Sequence, residues 1–237
     1  MRRRQSTLSI PEPLGDTRDF LPPDEYKTNR KKAKQKDIKQ LIKLIESNSS
    51  ETIIDKFITL HPELLCFVIS LYSTGHHHTW VIPKKVVKTK TNSNDKGLVP
   101  DFIIGGQSTS GKEWFILELK GANTNLFVEK ASKIYFTDII NKGLHQLIEY
   151  LDYCDTYQSK FRDEHKLIDF KKPKAILMAG RRNEFQNNQR KKSIIQTWRT
   201  LLGNRLEIVT YDRLVDQLKI GLKDLRKNKG EEFSPFD

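Results

Sequence analysis

An aspartate at 101, a glutamate at 118 and a lysine at 120 lie within GLVPDFIIGGQSTSGKEWFILELKG, residues 97–121. These residue types suit one chemistry. Two carboxylates are the usual protein share of a Mg²⁺ site, with water and phosphate oxygens completing the octahedron. A lysine beside the ion orients or deprotonates an attacking water and offsets the charge that develops on a phosphate. The spacing lets the three meet. Val99 to Ile104 and Glu113 to Lys120 read as strands, with Gly105, Gly106 and Gly111 bracketing a polar turn. In the second strand Phe115, Leu117 and Leu119 alternate with Ile116, Glu118 and Lys120, so Glu118 and Lys120 project to one side. A short hairpin brings Asp101, directly after Pro100, alongside them. The bland alternative is an ion pair between Glu118 and Lys120 at a strand end, which is worth little.

The flanking elements must hold this hairpin. Ile38, Leu41, Ile42 and Ile45 form an apolar stripe at helical spacing. A second helix follows Ser49 or Ser50, with Glu51 early in it, as the helix dipole favours, and Ile53, Ile54, Phe57 and Leu60 on its core side. Pro62 opens another turn that buries Leu64, Leu65, Phe67 and Val68. Glu63, just inside that turn, either complements the dipole or adds a carboxylate near the metal. His76, His77 and His78 enter a strand running from Trp80 to Lys88. Consecutive histidines cannot all converge on one ion there, because neighbours point to opposite faces. From Ser132 to about Lys160 the pattern predicts one long helix or a broken pair, with Ile139, Ile140, Leu144, Leu147, Ile148 and Leu151 as its core stripe. Gln146 and Tyr150, four apart, share a face of it and can steady a bound water, a phosphate or Lys120. Alternatively they form a polar patch at the helix edge. Lys174–Ala179 and Leu206–Thr210 read as strands, Ile194–Leu202 as a helix, and Tyr211-Asp212 as the cap of a last helix to Leu222.

The 237 residues suffice for one sizeable domain, expected over 37–222, between an N-terminal arm over 1–36 and a charged tail over 223–237. The arm carries ten basic against five acidic residues and four of the nine prolines, which break regular elements. A net charge of +12 points to a polyanionic partner. Lys84, Lys85 and Lys88, and the loop with Arg181, Arg182, Arg190, Lys191 and Lys192, suit contact with a phosphate backbone; a solvated surface is the alternative. Cys66 and Cys154 read as buried free thiols of a reducing compartment. No apolar run reaches membrane-spanning length, so a cytoplasmic protein without membrane contact is expected.

Pro100-Asp101 followed by Glu118-Leu119-Lys120 is the signature of the PD-(D/E)XK nuclease superfamily. With Phe57-X-X-X-His61-Pro62-Glu63-Leu64-Leu65, Pro100-Asp101-Phe102, Leu117-Glu118-Leu119-Lys120, Gln146-X-X-X-Tyr150 and Val209-Thr210-Tyr211-Asp212 in that order, the chain resembles the Shedu nuclease-domain family of bacterial anti-phage defence. The resemblance implies an α/β, restriction-endonuclease-like core: a central mixed β-sheet flanked by helices, with an N-terminal helical segment. It implies Mg²⁺-dependent endonucleolytic cleavage of DNA, with Mn²⁺ as a substitute, and a homo-oligomer. By position, Asp101 and Glu118 look like the metal ligands, Lys120 like the catalytic lysine, Gln146 like the fourth motif residue and Glu63 like an accessory carboxylate. The rival reading is a nuclease fold kept for DNA binding or assembly without turnover.

Overall fold

The computed structural model describes residues 22–85, 98–164, 166–167, 170–202 and 205–227. A six-stranded mixed sheet runs through the middle of the molecule in the order β1 (Lys27–Thr28), β2 (His78–Pro83), β3 (Phe102–Ser108), β4 (Gly111–Leu119), β7 (Lys174–Met178), β8 (Leu206–Val209). The first three pairings are antiparallel and the last two parallel. A separate hairpin, β5 (Phe127–Lys130) with β6 (Lys133–Phe136), follows β4.

Strand alternation divides the core in two. Phe102, Ile104, Phe115, Leu117, Leu119, Ile176 and Met178 face α1 (Gln35–Glu46), α2 (Glu51–Leu60), α3 (Cys66–Ile69) and α8 (Tyr211–Lys227). Ile103, Trp114, Ile116, Ala175, Leu177 and Ile208 face α4 (Asp138–Thr156), α5 (Gln158–Asp163) and α7 (Gln189–Leu201). The inner strands β3, β4 and β7 therefore bury both faces, which explains their apolar runs. This is the mixed sheet between helical layers that the sequence predicts.

Several boundaries differ from expectation for identifiable reasons. Gly105 and Gly106 sit inside β3 instead of bounding a turn. A Cβ on Gly105 would lie 2.7 Å from the Trp114 ring across the ladder, so the glycine makes room for that indole. The predicted phase of α2 is rotated. Ile54 and Ile58 are buried, whereas Ile53 and Leu60 face solvent. On α4, Ile139 and Ile148 are likewise exposed while Ile140, Leu144 and Leu147 carry the packing. The expected Ser132–Lys160 helical region begins instead as strand β6 and is helical only from Asp138, as the broken pair α4 and α5. The N-terminal segment is not all arm, since Lys27 and Thr28 add an edge strand to β2. The far end of the predicted Trp80–Lys88 strand, with Lys88, lies outside the described residues, as do 1–21 and 228–237. Cys66 and Cys154 are buried free thiols, and burial pushes both up to about 12. Among the described residues no helix is long and apolar enough to cross a membrane.

Candidate active site

Asp101 stands one residue before β3, and Glu118 and Lys120 stand at the end of β4. Because the β3–β4 register pairs Phe102 with Leu117, its continuation sets Asp101 opposite Glu118. Both acids fall on the α4 face of the sheet, in phase with Ile103 and Ile116. The Asp101 carboxylate is fixed at both oxygens: Oδ2 accepts the Leu119 N–H at 2.8 Å, and Oδ1 accepts a short bond from Lys84 Nζ. Glu118 Oε1 accepts from Lys120 Nζ at 3.0 Å. The backbone beyond β4 is secured by the Lys120 N–H donating to Met178 O at 2.8 Å. The neighbouring helix makes room for the lysine, because a Cβ on Gly143 of α4 would lie 3.3 Å from Lys120 Cε and 2.8 Å from Leu177.

Two further acids reach the same place from α2. Its N-terminus is drawn to the end of β4 by the Ala122 N–H donating to Ser49 O at 3.1 Å. Glu51 and Asp55, four apart, then share a helix face. Glu51 Oε2 lies 3.8 Å from Lys120 Nζ and Asp55 Oδ1 3.2 Å from Lys84 Nζ. Sequence reasoning missed both residues. Glu51 fitted the dipole of α2, and the available signal was the i, i+4 acidic pair Glu51 and Asp55 on one face of that helix.

The electrostatics are unbalanced. Fully ionised, four carboxylates meet two ammonium groups, leaving two negative charges uncompensated. Glu118 bears the consequence. Burial, then the charge of Asp101, push its carboxyl up to about 7 against the pull of Lys120. Glu118 is 5% exposed, and its Oε2 is buried with no hydrogen-bond partner among the described residues. Burial also raises Glu51, with Lys120 opposing. Lys84 is held above its ordinary value. Burial works against the ammonium, but its bonds to Asp101 and Asp55 outweigh that.

Two tyrosines face the acids. Burial, then the charges of Glu118 and Asp101, raise the Tyr150 phenol, so it stays protonated and able to donate. Tyr211, fully buried at the start of α8, is raised by burial and by Asp101, Glu51 and Asp55, and its hydroxyl has no partner among the described residues. The sequence marks Tyr211 as part of a helix cap and of the Val209-Thr210-Tyr211-Asp212 motif, not as a neighbour of the acids. Gln146 is half-buried and lines, with Leu98, His145 and Tyr150, a groove of about 580 Å³ beside α4.

A hard divalent cation fits this donor set. Oxygen donors from two adjoining strands face one another, one buried oxygen is unpartnered, and two charges await neutralisation. Asp101 and Glu118 would hold such an ion.

Other predicted residues lie elsewhere or are engaged. Glu63 contacts His61 at 3.5 Å and groups with Asp37, not with Asp101 and Glu118. Arg181 donates to Asp212 through Nε at 3.1 Å and to Ile45 O at 2.8 Å, and Arg182 pairs with Asp216 at 2.6 Å. These two arginines serve the fold. The basic loop also contains α6 (Asn183–Gln186), whose Glu184 accepts the Leu126 and Phe127 N–H groups. Arg190 bonds Ser132 O and Lys191 pairs with Glu129, both on the β5–β6 hairpin side. Lys85 and Lys192 are half-buried. His77 contacts Thr109 at 3.4 Å and His78 begins β2 beside Trp80.

The profile of a family described as Shedu protein SduA, C-terminal, matches residues 48–215. That range takes in Glu51, Asp55, Lys84, Asp101, Glu118, Lys120, Gln146, Tyr150 and Tyr211, and it leaves out α1. A search of curated proteins finds no match.

Proposed function

From the premise that the chain belongs to the Shedu SduA C-terminal family, we propose that it is a metal-dependent endodeoxyribonuclease of the PD-(D/E)XK type, acting in bacterial anti-phage defence. The observation that carries the reading is the buried Glu118 carboxyl, pushed up to about 7, with one oxygen on Lys120 and the other unpartnered. An acid in that state is a poor structural ion pair and a good site for an added cation.

Asp101 and Glu118 would hold Mg²⁺, or Mn²⁺ in its place, with the carbonyl near Leu119 as a further donor. When bound there, such an ion would supply Lewis-acid polarisation of the scissile phosphate and a more acidic water. The chain's own groups do the rest. Lys120, only 12% exposed at its side chain, orients the attacking water and offsets negative charge growing on the phosphate. Tyr150 stays protonated beside the acids and donates a hydrogen bond to the phosphate or the water. Gln146, one turn earlier on the groove, orients the phosphate or Lys120. The P–O bond breaks in line with the attacking water. Lys85 and Lys192 supply non-specific backbone contact that weakens with salt. Self-assembly, as the family resemblance implies, completes the proposal. The second reading, binding without turnover, draws on the Lys84 ammonium bonded to the Asp101 oxygen that an ion would need.

Plasmid nicking with Mg²⁺ or Mn²⁺, wild type against Lys120→Ala, tests this. The variant should cleave at least ~100-fold more slowly while retaining its gel shift, the scale of removing one group that stabilises transition-state charge. Equal cleavage by both proteins contradicts the mechanism. Binding by the wild type without metal-dependent cleavage supports the second reading.

A further inference from the structure

Asp37, His61 and Glu63 form a second constellation that the nuclease reading does not use. Each offers one ligand atom, and these atoms lie within 4.8 Å of one another. Three different elements deliver them. Asp37 is in the first turn of α1. His61 is the residue that ends α2, and Glu63 follows Pro62 in the 3-10 turn Pro62–Leu65. The His61 ring is set by its contact with Phe57, with centroids 4.7 Å apart.

The distances are longer than hydrogen bonds and near those between ligands of one ion. His61 Nδ1 faces Asp37 Oδ2 at 3.7 Å and Glu63 Oε1 at 3.5 Å. Neither contact is close enough for a hydrogen bond. A tetrahedral ion with bonds of about 2.0–2.2 Å spaces its ligand atoms about 3.3–3.6 Å apart. Asp37 is 8% exposed, and its Oδ2 faces the His61 ring nitrogen from beyond hydrogen-bond reach. One imidazole and two carboxylates suit a borderline first-row ion, with water as the fourth ligand.

We propose that Asp37, His61 and Glu63 bind a zinc-class divalent ion, distinct from the Asp101–Glu118 site, which clips α1 to the α2–Pro62 corner. α1 lies ahead of the family-matched residues 48–215. The ion therefore fastens a helix outside the matched region onto the body that carries the acids. This inference stands whether or not the protein cleaves DNA.

Co²⁺ is the probe, because its visible absorption reports ligand number and geometry. The test uses the full-length chain carrying Glu118→Gln, which removes a ligand from the other site. We expect one Co²⁺ per chain with tetrahedral-type absorption, displaced by Zn²⁺, and a melting temperature several degrees higher with Zn²⁺. His61→Ala should lose the absorption and at least ~10-fold in affinity. If His61→Ala does not fold by circular dichroism, Asp37→Asn gives the same readout with less disturbance. Absorption unchanged in these variants, absent from the folded protein, or present only when Glu118 is intact would overturn the assignment.

Discussion

Glu118, at the end of β4, and Asp212, in the first turn of α8, are both buried acids, yet their surroundings drive them in opposite directions. Burial alone would raise both. At Asp212 the hydrogen bonds from Arg181 and the Arg182 N–H outweigh it and hold the carboxyl below its ordinary range. Its Oδ1 accepts from Arg181 at 2.9 and 3.1 Å, and its Oδ2 accepts the Arg182 N–H at 2.6 Å. At Glu118 burial and Asp101 prevail, and Oε2 has no partner. One acid is closed into a guanidinium network that holds the segment after β7, α8 and the end of α1 together. The other is left short of positive charge. The same residue types thus distinguish a structural cluster from a site: the difference lies in whether the counter-charges are already complete.

That contrast can be broken by experiment, beginning where the effect is largest. Asp212→Ala leaves Arg181 uncompensated and should cost about 3–5 kcal/mol in urea unfolding, the range for removing one partner of a buried pair. Glu118→Gln should act in the opposite sense. The folded carboxyl titrates at about 7 against a reference of 4.5. The unfolded chain therefore releases its proton first as pH rises. Stability falls between about pH 4.5 and 7, by up to about 3 kcal/mol. With chelator present, Glu118→Gln should lack that slope and be the more stable protein at pH 7.5. A loss of stability at that pH would mean that Glu118 is a structural pair after all. The smallest effect belongs to Arg182→Ala. Its pair with Asp216 is about half exposed on both sides, with 45% and 49% of the side chains accessible, and its N–H to Asp212 survives the change. Less than about 1 kcal/mol is expected.

The hairpin and its acid pair are legible because period-2 alternation fixes which side Glu118 and Lys120 take, although the strand expected over Val99 to Ile104 runs from Phe102 to Ser108. The α1 stripe was legible too: Ile38, Leu41, Ile42 and Ile45 are all buried. What escaped depended on contacts between segments distant in the chain. Gly105 looks like a turn residue until Trp114 is seen filling the space above it. Glu51 and Asp55 look like helix-surface acids until the end of β4 brings Lys120 and Lys84 to them. Arg181 and Arg182 look like phosphate contacts because nothing local reveals that Asp212 and Asp216, about thirty residues on, engage them. Glu63 looks like an accessory to the first acid pair, whereas its neighbours are Asp37 from α1 and His61 from the end of α2.

The titration of the Glu118 carboxyl, followed by carbon-detected NMR with and without saturating Mg²⁺, tests the central claim most directly. A midpoint near 7 without metal, moved well down by Mg²⁺, is the predicted result. A midpoint in the ordinary carboxylate range that Mg²⁺ does not move would contradict it.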